Sequence, residues 1–268
     1  IAEELNYKKN KAGYLLAAKR KNISIGCLMP DIGNHFFDRV KYGIKMATKE
    51  YQDYGLSIHI EHVQGFKLEC HLKAIEKLEK YNFDALLLTT INNEIIEKKI
   101  IEIVEKGTPV ACVNTDVPNS KRLFYVGPDY YKSGVATAGL IRLINNQINN
   151  ILIVTGSLAV KGHNDRIKGF IETLNKNKTD YKILDIIETN DSEKIAYNIV
   201  NEAFKKHSNI SIIYFVAAGI EGGCKAILEQ NIKTRPKIFC YDLVPATISL
   251  LEQGIIESTV IHNAYDQG

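Results

Sequence analysis

Several short apolar runs in this 268-residue chain end in polar side chains that suit the holding of a polyhydroxylated molecule. Asn34, Phe36 and Phe37 follow the run at 23–29, and Asn114 and Asp116 follow that at 109–113. Arg166 comes soon after Gly156 and Ser157. Tyr241 and Asp242 stand at the end of the run at 237–241, and His262 follows that at 257–261. Charged planar groups take neighbouring hydroxyls in pairs, and aromatic faces cover the apolar side of a sugar ring. Structural roles compete with this reading. One of Phe36 and Phe37 suits a helix core, Arg166 suits a surface ion pair, and Asp116 and Asp242 suit helix N-caps.

Bond-breaking chemistry has less support. Gly156-Ser157 lacks the G-x-S-x-G turn of an exposed nucleophile, and no Ser/His/Asp or Cys/His set is evident in the linear order. The segment Ala218-Gly219-Ile220-Glu221-Gly222-Gly223 lacks the Lys-Ser/Thr pair of a phosphate loop. His35, His59, His62, His71, His163 and His207 have no metal-ligand spacing, and no cysteine has a CxxC partner. The expectation is a binding protein and not an enzyme, with no cofactor and no metal.

In open α/β sheets, ligands bind beyond the carboxyl ends of the strands, so these residues need strands behind them. Apolar runs at 23–29, 57–63, 84–89, 109–113, 122–126, 150–155, 182–187, 211–216, 237–241 and 257–261 predict those strands. Amphipathic stretches between them predict helices near 36–53, 68–81, 93–106, 130–146, 163–176, 191–206, 220–230 and 244–253. Leu72, Ile75 and Leu78 form a helical stripe opposite Glu76, Glu79 and Lys80. The alternation predicts an α/β fold with parallel sheets in two lobes. Boundaries are expected at 23–148 and 149–262, with the polar segment 145–150 as the crossing and 263–268 returning to the first lobe.

Charge divides the chain differently. Residues 1–22 hold six Lys/Arg and two Glu, net +4, which leaves 28 positive and 29 negative charges on residues 23–268. A basic arm on a near-neutral globule suits a polyanion partner, although a solvated tail has the same composition. No stretch approaches the roughly 18 uninterrupted apolar residues of a membrane span, so no membrane partner is expected. Five scattered cysteines, with Cys27, Cys112 and Cys240 inside apolar runs, suit a reducing compartment. The expected location is cytoplasmic.

The arm resembles the end of the DNA-binding headpiece and the hinge of the lactose-repressor (LacI) family of bacterial regulators. Ala2, Glu4, Leu5, Tyr7, Asn10, Leu16 and Lys19 match the family pattern, whereas Lys9 stands at its usual Pro and Gly13 at or beside its usual Ala. The resemblance implies that Leu16 is an apolar wedge for the minor groove, flanked by phosphate-neutralising Lys and Arg. It also implies that Ile1 falls inside the last headpiece helix. Residues 22–268 resemble the ribose-binding and LacI-type core, a periplasmic-binding-protein-like type I fold of two Rossmann-like lobes. There Asn34-His35-Phe36-Phe37 looks like "N-P-F-F", Arg166 to Phe170 like "R-x-x-G-F", and Asn114 stands at a usual Asp. Asp242 fits the acidic residue after the ninth strand, and His262 stands where Gln often reaches the ligand. A common amide-bearing "N-D-x-x-A-x-G" is replaced by 216–223. The implied function is a dimeric, sugar-responsive regulator of operator DNA. A sugar-binding receptor of a transport system is the alternative.

Overall fold

The computed structural model describes residues 22–30, 35–144 and 150–268. Strand β1 (Ile23–Pro30) buries Cys27, Leu28 and Met29 completely. Successive side chains point to opposite faces, so both faces of this strand are covered, as in a parallel sheet flanked by helices. Helix α1 (His35–Tyr51) buries Phe36, Phe37, Val40 and Ile44 along one stripe. β2 (Leu56–Val63), α2 (Leu68–Lys80), β3 (Ala85–Leu88) and α3 (Glu94–Glu105) follow, and Asn93 caps α3 by accepting from the Ile95 amide at 2.9 Å. β4 (Val110–Val113) and the short edge strand β5 (Tyr125–Val126) complete a parallel sheet in the order β2-β1-β3-β4-β5.

The second sheet repeats the scheme. Helix α4 (Tyr130–Ile144) leads to β6 (Asn150–Thr155), α5 (Lys161–Lys176), β7 (Lys182–Glu188) and α6 (Glu193–Lys206). After these come β8 (Ile212–Phe215), α7 (Ile220–Leu228), β9 (Lys237–Tyr241), α8 (Pro245–Glu252) and β10 (Ser258–Val260). The order is β10-β9-β8-β6-β7, again parallel. The α/β architecture expected from the alternating pattern is therefore present. In each sheet the order reverses beside its first strand, between β1 and β3 and between β6 and β8, where such folds open a crevice.

One boundary differs from expectation. Ala138 and Ile141 of α4 pack with Ile151, Ile153, Phe170 and Tyr214, inside the core of the second sheet. A Cβ built on Gly134 would overlap the Arg166 carbonyl, and one on Gly169 would overlap the Tyr131 carbonyl, so α4 and α5 meet almost backbone to backbone. The chain thus crosses between lobes at 127–129. Segment 145–150 joins two elements of the same lobe. Its polarity therefore does not mark the boundary between the lobes.

A second crossing, at 261–263, leads to the short helix α9 (Ala264–Gln267). Ala264 joins the first-lobe cluster of Phe36, Phe37, Val40 and Ile44, and Tyr42 and Tyr265 lie 5.9 Å apart between ring centres. The lobes also touch across the cleft. Val160, from the turn before α5, is buried in the first-lobe cluster with Leu88, Ile91 and Ile96, and the Asn92 amide donates to the Ala159 carbonyl at 3.3 Å.

Candidate ligand-binding cleft

Between the strand ends of the two sheets lies a cavity of about 430 Å³, a size suited to a small ligand. From the first lobe come Phe36 and Phe37, Thr89 and Thr90 after β3, and Asn114 and Thr115 after β4. Phe36 and Phe37 meet edge to face at 5.4 Å and also belong to the core, so both expected roles fall on the same pair. Asn114 holds a left-handed backbone (φ 64°), and its side-chain amide donates to Gln267 at 3.0 Å. Tyr125 donates to the Asn114 and Pro128 carbonyls, which pins the site to the first crossing.

The second lobe supplies the charged wall. Arg166 is 5% exposed, with its guanidinium carbon 3.7 Å from the centre of the Tyr241 ring and 4.7 Å from that of Tyr130. It donates to the Val216 carbonyl and lies 3.2 Å from His262 Nδ1, while its Nε has no hydrogen-bond partner among the described residues. The residue lines the cavity, so a hydroxyl or ring oxygen of a bound molecule would meet a charged group there. Asp242 is left-handed (φ 66°), and its carboxylate accepts from the His262 amide at 3.3 Å and lies 3.0 Å from Nδ1 of that ring. Asn114 after β4 and Asp242 after β9 are thus corresponding left-handed polar residues, one from each lobe, and both line the cleft. Strained backbone of this kind collects at ligand sites.

Phe36, Phe37, Asn114, Arg166, Tyr241 and Asp242 line the cavity as expected from their positions after strands. Two expected contacts do not. Asp116 is held bidentately by Arg122, whose fork satisfies both carboxylate oxygens away from the cavity. His262 lies behind Arg166 and Asp242, stacked on Tyr241 at 5.6 Å, so it supports the wall without forming its surface. Asn34 lies outside the described residues, as do the arm residues Tyr7, Asn10, Leu16 and Lys19.

The model of the periplasmic binding protein domain matches residues 25–268. The chain belongs to that family. Over 204 residues (69% of the chain and 49% of the relative) this periplasmic binding protein domain is 22% identical to the xylose/arabinose-binding protein XylF of Sulfolobus acidocaldarius. Over 180 residues (66% and 51%) it is 23% identical to catabolite control protein A of Staphylococcus aureus. The chain therefore spans about half the length of the curated relatives it matches. The solved structure of XylFII superposes with a TM-score of 0.85 at 23% identity, covering 92% of this chain and 90% of that one.

Within this periplasmic binding protein domain, folding assembles a set that the linear order conceals. Ser133 Oγ lies 2.8 Å from His262 Nε2, and His262 Nδ1 lies 3.0 Å from Asp242. Ser133 is buried in the first turn of α4, its hydroxyl donates to the Asp129 carbonyl, and it does not line the cavity. The set therefore positions Arg166 and Asp242 and offers no nucleophile to the cleft.

Other lining residues do not stand out in the sequence. His71 lies 3.0 Å from Thr90 Oγ1 and 3.1 Å from the Gly65 carbonyl, and burial lowers its pKa. His163 is held at the Ser157 backbone, and burial, with the Arg166 charge, lowers its pKa to about 3. Asp191 follows β7 in a left-handed pair with Asn190 (φ 55° and 50°), and burial raises its pKa to about 6. Thr90 and Asp191 obey the same after-the-strand rule that found Asn114 and Asp242. Among the described residues, no helix is long and apolar enough to cross a membrane.

Proposed function

We propose that the cleft reversibly binds a small polyhydroxylated ligand, a sugar or sugar derivative, and that the lobes close over it. The carrying observation is Arg166, a buried guanidinium stacked on Tyr241, which lines the cavity together with the Asp242 carboxylate. Such a group grips a hydroxyl or ring oxygen while the Phe36–Phe37 edge covers an apolar ring face. Family membership and the name of the XylF relative support this chemistry. Calorimetry with pentoses, hexoses and their derivatives tests it. The Arg166→Ala variant is expected to bind the best of these about 10–100-fold more weakly, the scale of one charged hydrogen bond. Full affinity in that variant would remove Arg166 from the site.

A receptor for a transport system needs no more than the cleft and its closure, and the sugar-binding relatives favour that role. The second reading, a DNA-binding regulator, rests on the arm. Residues 1–22 carry net +4 against −1 for the remainder, and one relative is a control protein by name. In that reading, closure of the lobes changes how paired arms in a homodimer meet operator DNA. The reading frame upstream of Ile1 discriminates the two. A helix-turn-helix there supports the regulator, and a signal or lipid-anchor sequence supports the receptor.

A further inference from the structure

The cavity is uneven in what its walls offer. Arg166, Asp242, Asn114, Thr89 and Thr90 bring charged, amide or hydroxyl groups, whereas the segments that follow β8 and β9 bring Ala217, Ala218, Ile220, Val244 and Ala246. The two sets adjoin. Arg166 donates to the Val216 carbonyl, so Ala217 and Ala218 come directly after the residue that holds the guanidinium. Val244 lies two residues past Asp242. Helices α7 and α8 are in contact, and Ile220 shares a core cluster with Leu250 and Leu251 of α8, so the five residues form one apolar stretch. Its backbone is engaged as well. The Ala218 amide donates to Asp191, and the Ala218 carbonyl accepts from Thr189 Oγ1 at 3.3 Å. At the start of α7 the Gly219 and Gly222 amides donate to Glu193 at 3.3 and 2.7 Å. Glu221, next on that helix, is exposed to solvent. A ligand hydroxyl pressed against this stretch would leave water and meet no polar side chain among the five, whereas an apolar group would gain by burial. The cavity, at about 430 Å³, has room for more than one sugar ring.

We propose that the cleft takes a glycoside, with its sugar held at Arg166 and Asp242 and an apolar aglycone against the stretch from α7 to α8. This rests on the sugar-type reading of the same cleft. A free sugar would use the polar part alone. A disaccharide would fill the space but bury a second set of hydroxyls against alanine, isoleucine and valine side chains.

Calorimetry on the full chain tests the proposal with matched probes. These are D-glucose, D-galactose, D-xylose and L-arabinose, their phenyl glycosides in both anomers, and the disaccharides cellobiose and lactose. At least one phenyl glycoside is expected to bind about ten-fold or more tighter than its parent sugar, the scale of burying an aromatic ring, and tighter than either disaccharide. Ala246→Asp and Val244→Ser place polar groups in the first turn and at the cap of α8, positions where a helix tolerates them. Each should lower the phenyl-to-parent ratio about three-fold or more, and either variant suffices if the other fails to fold. Parent sugars or disaccharides that bind as tightly as every phenyl glycoside, or tighter, overturn the aglycone and leave the sugar-type reading standing. A phenyl gain that survives in both variants overturns its placement between α7 and α8. Absence of binding by every probe overturns the sugar-type reading as well.

Discussion

Asp191 holds its proton more tightly in the folded protein than in an unfolded chain, because burial penalises its charged form and raises its pKa to about 6. The sign follows from linkage. A raised carboxylate contributes stability that is full below the unfolded value near 3.8 and is lost as pH rises through about 6. Without ligand, the Asp191→Asn protein should therefore melt higher than wild type at pH 7.5, by about 1–2 kcal/mol after allowing for partial exposure, and the gap should vanish near pH 4. Scanning calorimetry across that range checks it, and a variant that melts lower at pH 7.5 sinks the idea that burial outweighs the Ala218 backbone and the Arg166 charge, which favour this carboxylate. At this scale the sequence is partly legible. Arg166 and Asp242 stand out because each follows a strand and has a type suited to hydroxyls. Asp191 obeys the same rule after β7 but lies in Asn190-Asp191-Ser192, which reads as an ordinary helix start, and Ser192 does cap α6. Asp116 misleads because nothing in linear order shows that Arg122, six residues on, folds back to take both of its oxygens.

Elements are far more legible than partners. Apolar runs such as Ile23–Pro30 and the 3.6-residue stripe of Leu68–Lys80 specify strand and helix through local spacing. Spacing says which face of a helix is apolar, but not which sheet that face covers, so the sequence alone puts α4 in the wrong lobe. The deciding feature is its contact with α5, where Gly134 and Gly169 let two backbones approach. Gly169 reads in the sequence as part of an arginine motif, although its packing role is to leave space for the Tyr131 carbonyl. A methyl group there has nowhere to go. Gly169→Ala is expected to lose about 1–3 kcal/mol, and the melting temperature should fall by roughly 2–4 °C per kcal/mol. Because Arg166 sits one turn earlier on α5, ligand affinity should fall with it. A variant with unchanged melting temperature would mean that the helices separate at no cost.

At the scale of the molecule, the lobes are joined by the crossings at 127–129 and 261–263 and meet again at the far lip of the cleft. Both crossings are tied to the ligand wall. Tyr125 fixes the Pro128 carbonyl at one, and His262 bridges Arg166, Asp242 and Ser133 at the other. The lip closes through Val160, which is 4% exposed against first-lobe apolar residues, and through the Asn92–Ala159 hydrogen bond. Val160 contributes nothing to its own lobe's sheet core, so changing it should act on closure more than on folding. An aspartate at that position, the N-cap of α5, could accept from a first-turn amide. It would still bring its carboxylate among first-lobe apolar residues in the closed arrangement, at a cost of about 1–3 kcal/mol, while the open arrangement leaves it in water. Val160→Asp is thus expected to release bound ligand about 5–100-fold faster, with a thermal midpoint close to wild type when ligand is absent. Stopped-flow dissociation measures the first quantity, and small-angle scattering should show the ligand-saturated variant more extended than the wild type. If the variant retains ligand as long as wild type does, the lip contact does not hold the lobes together and the crossings alone set closure.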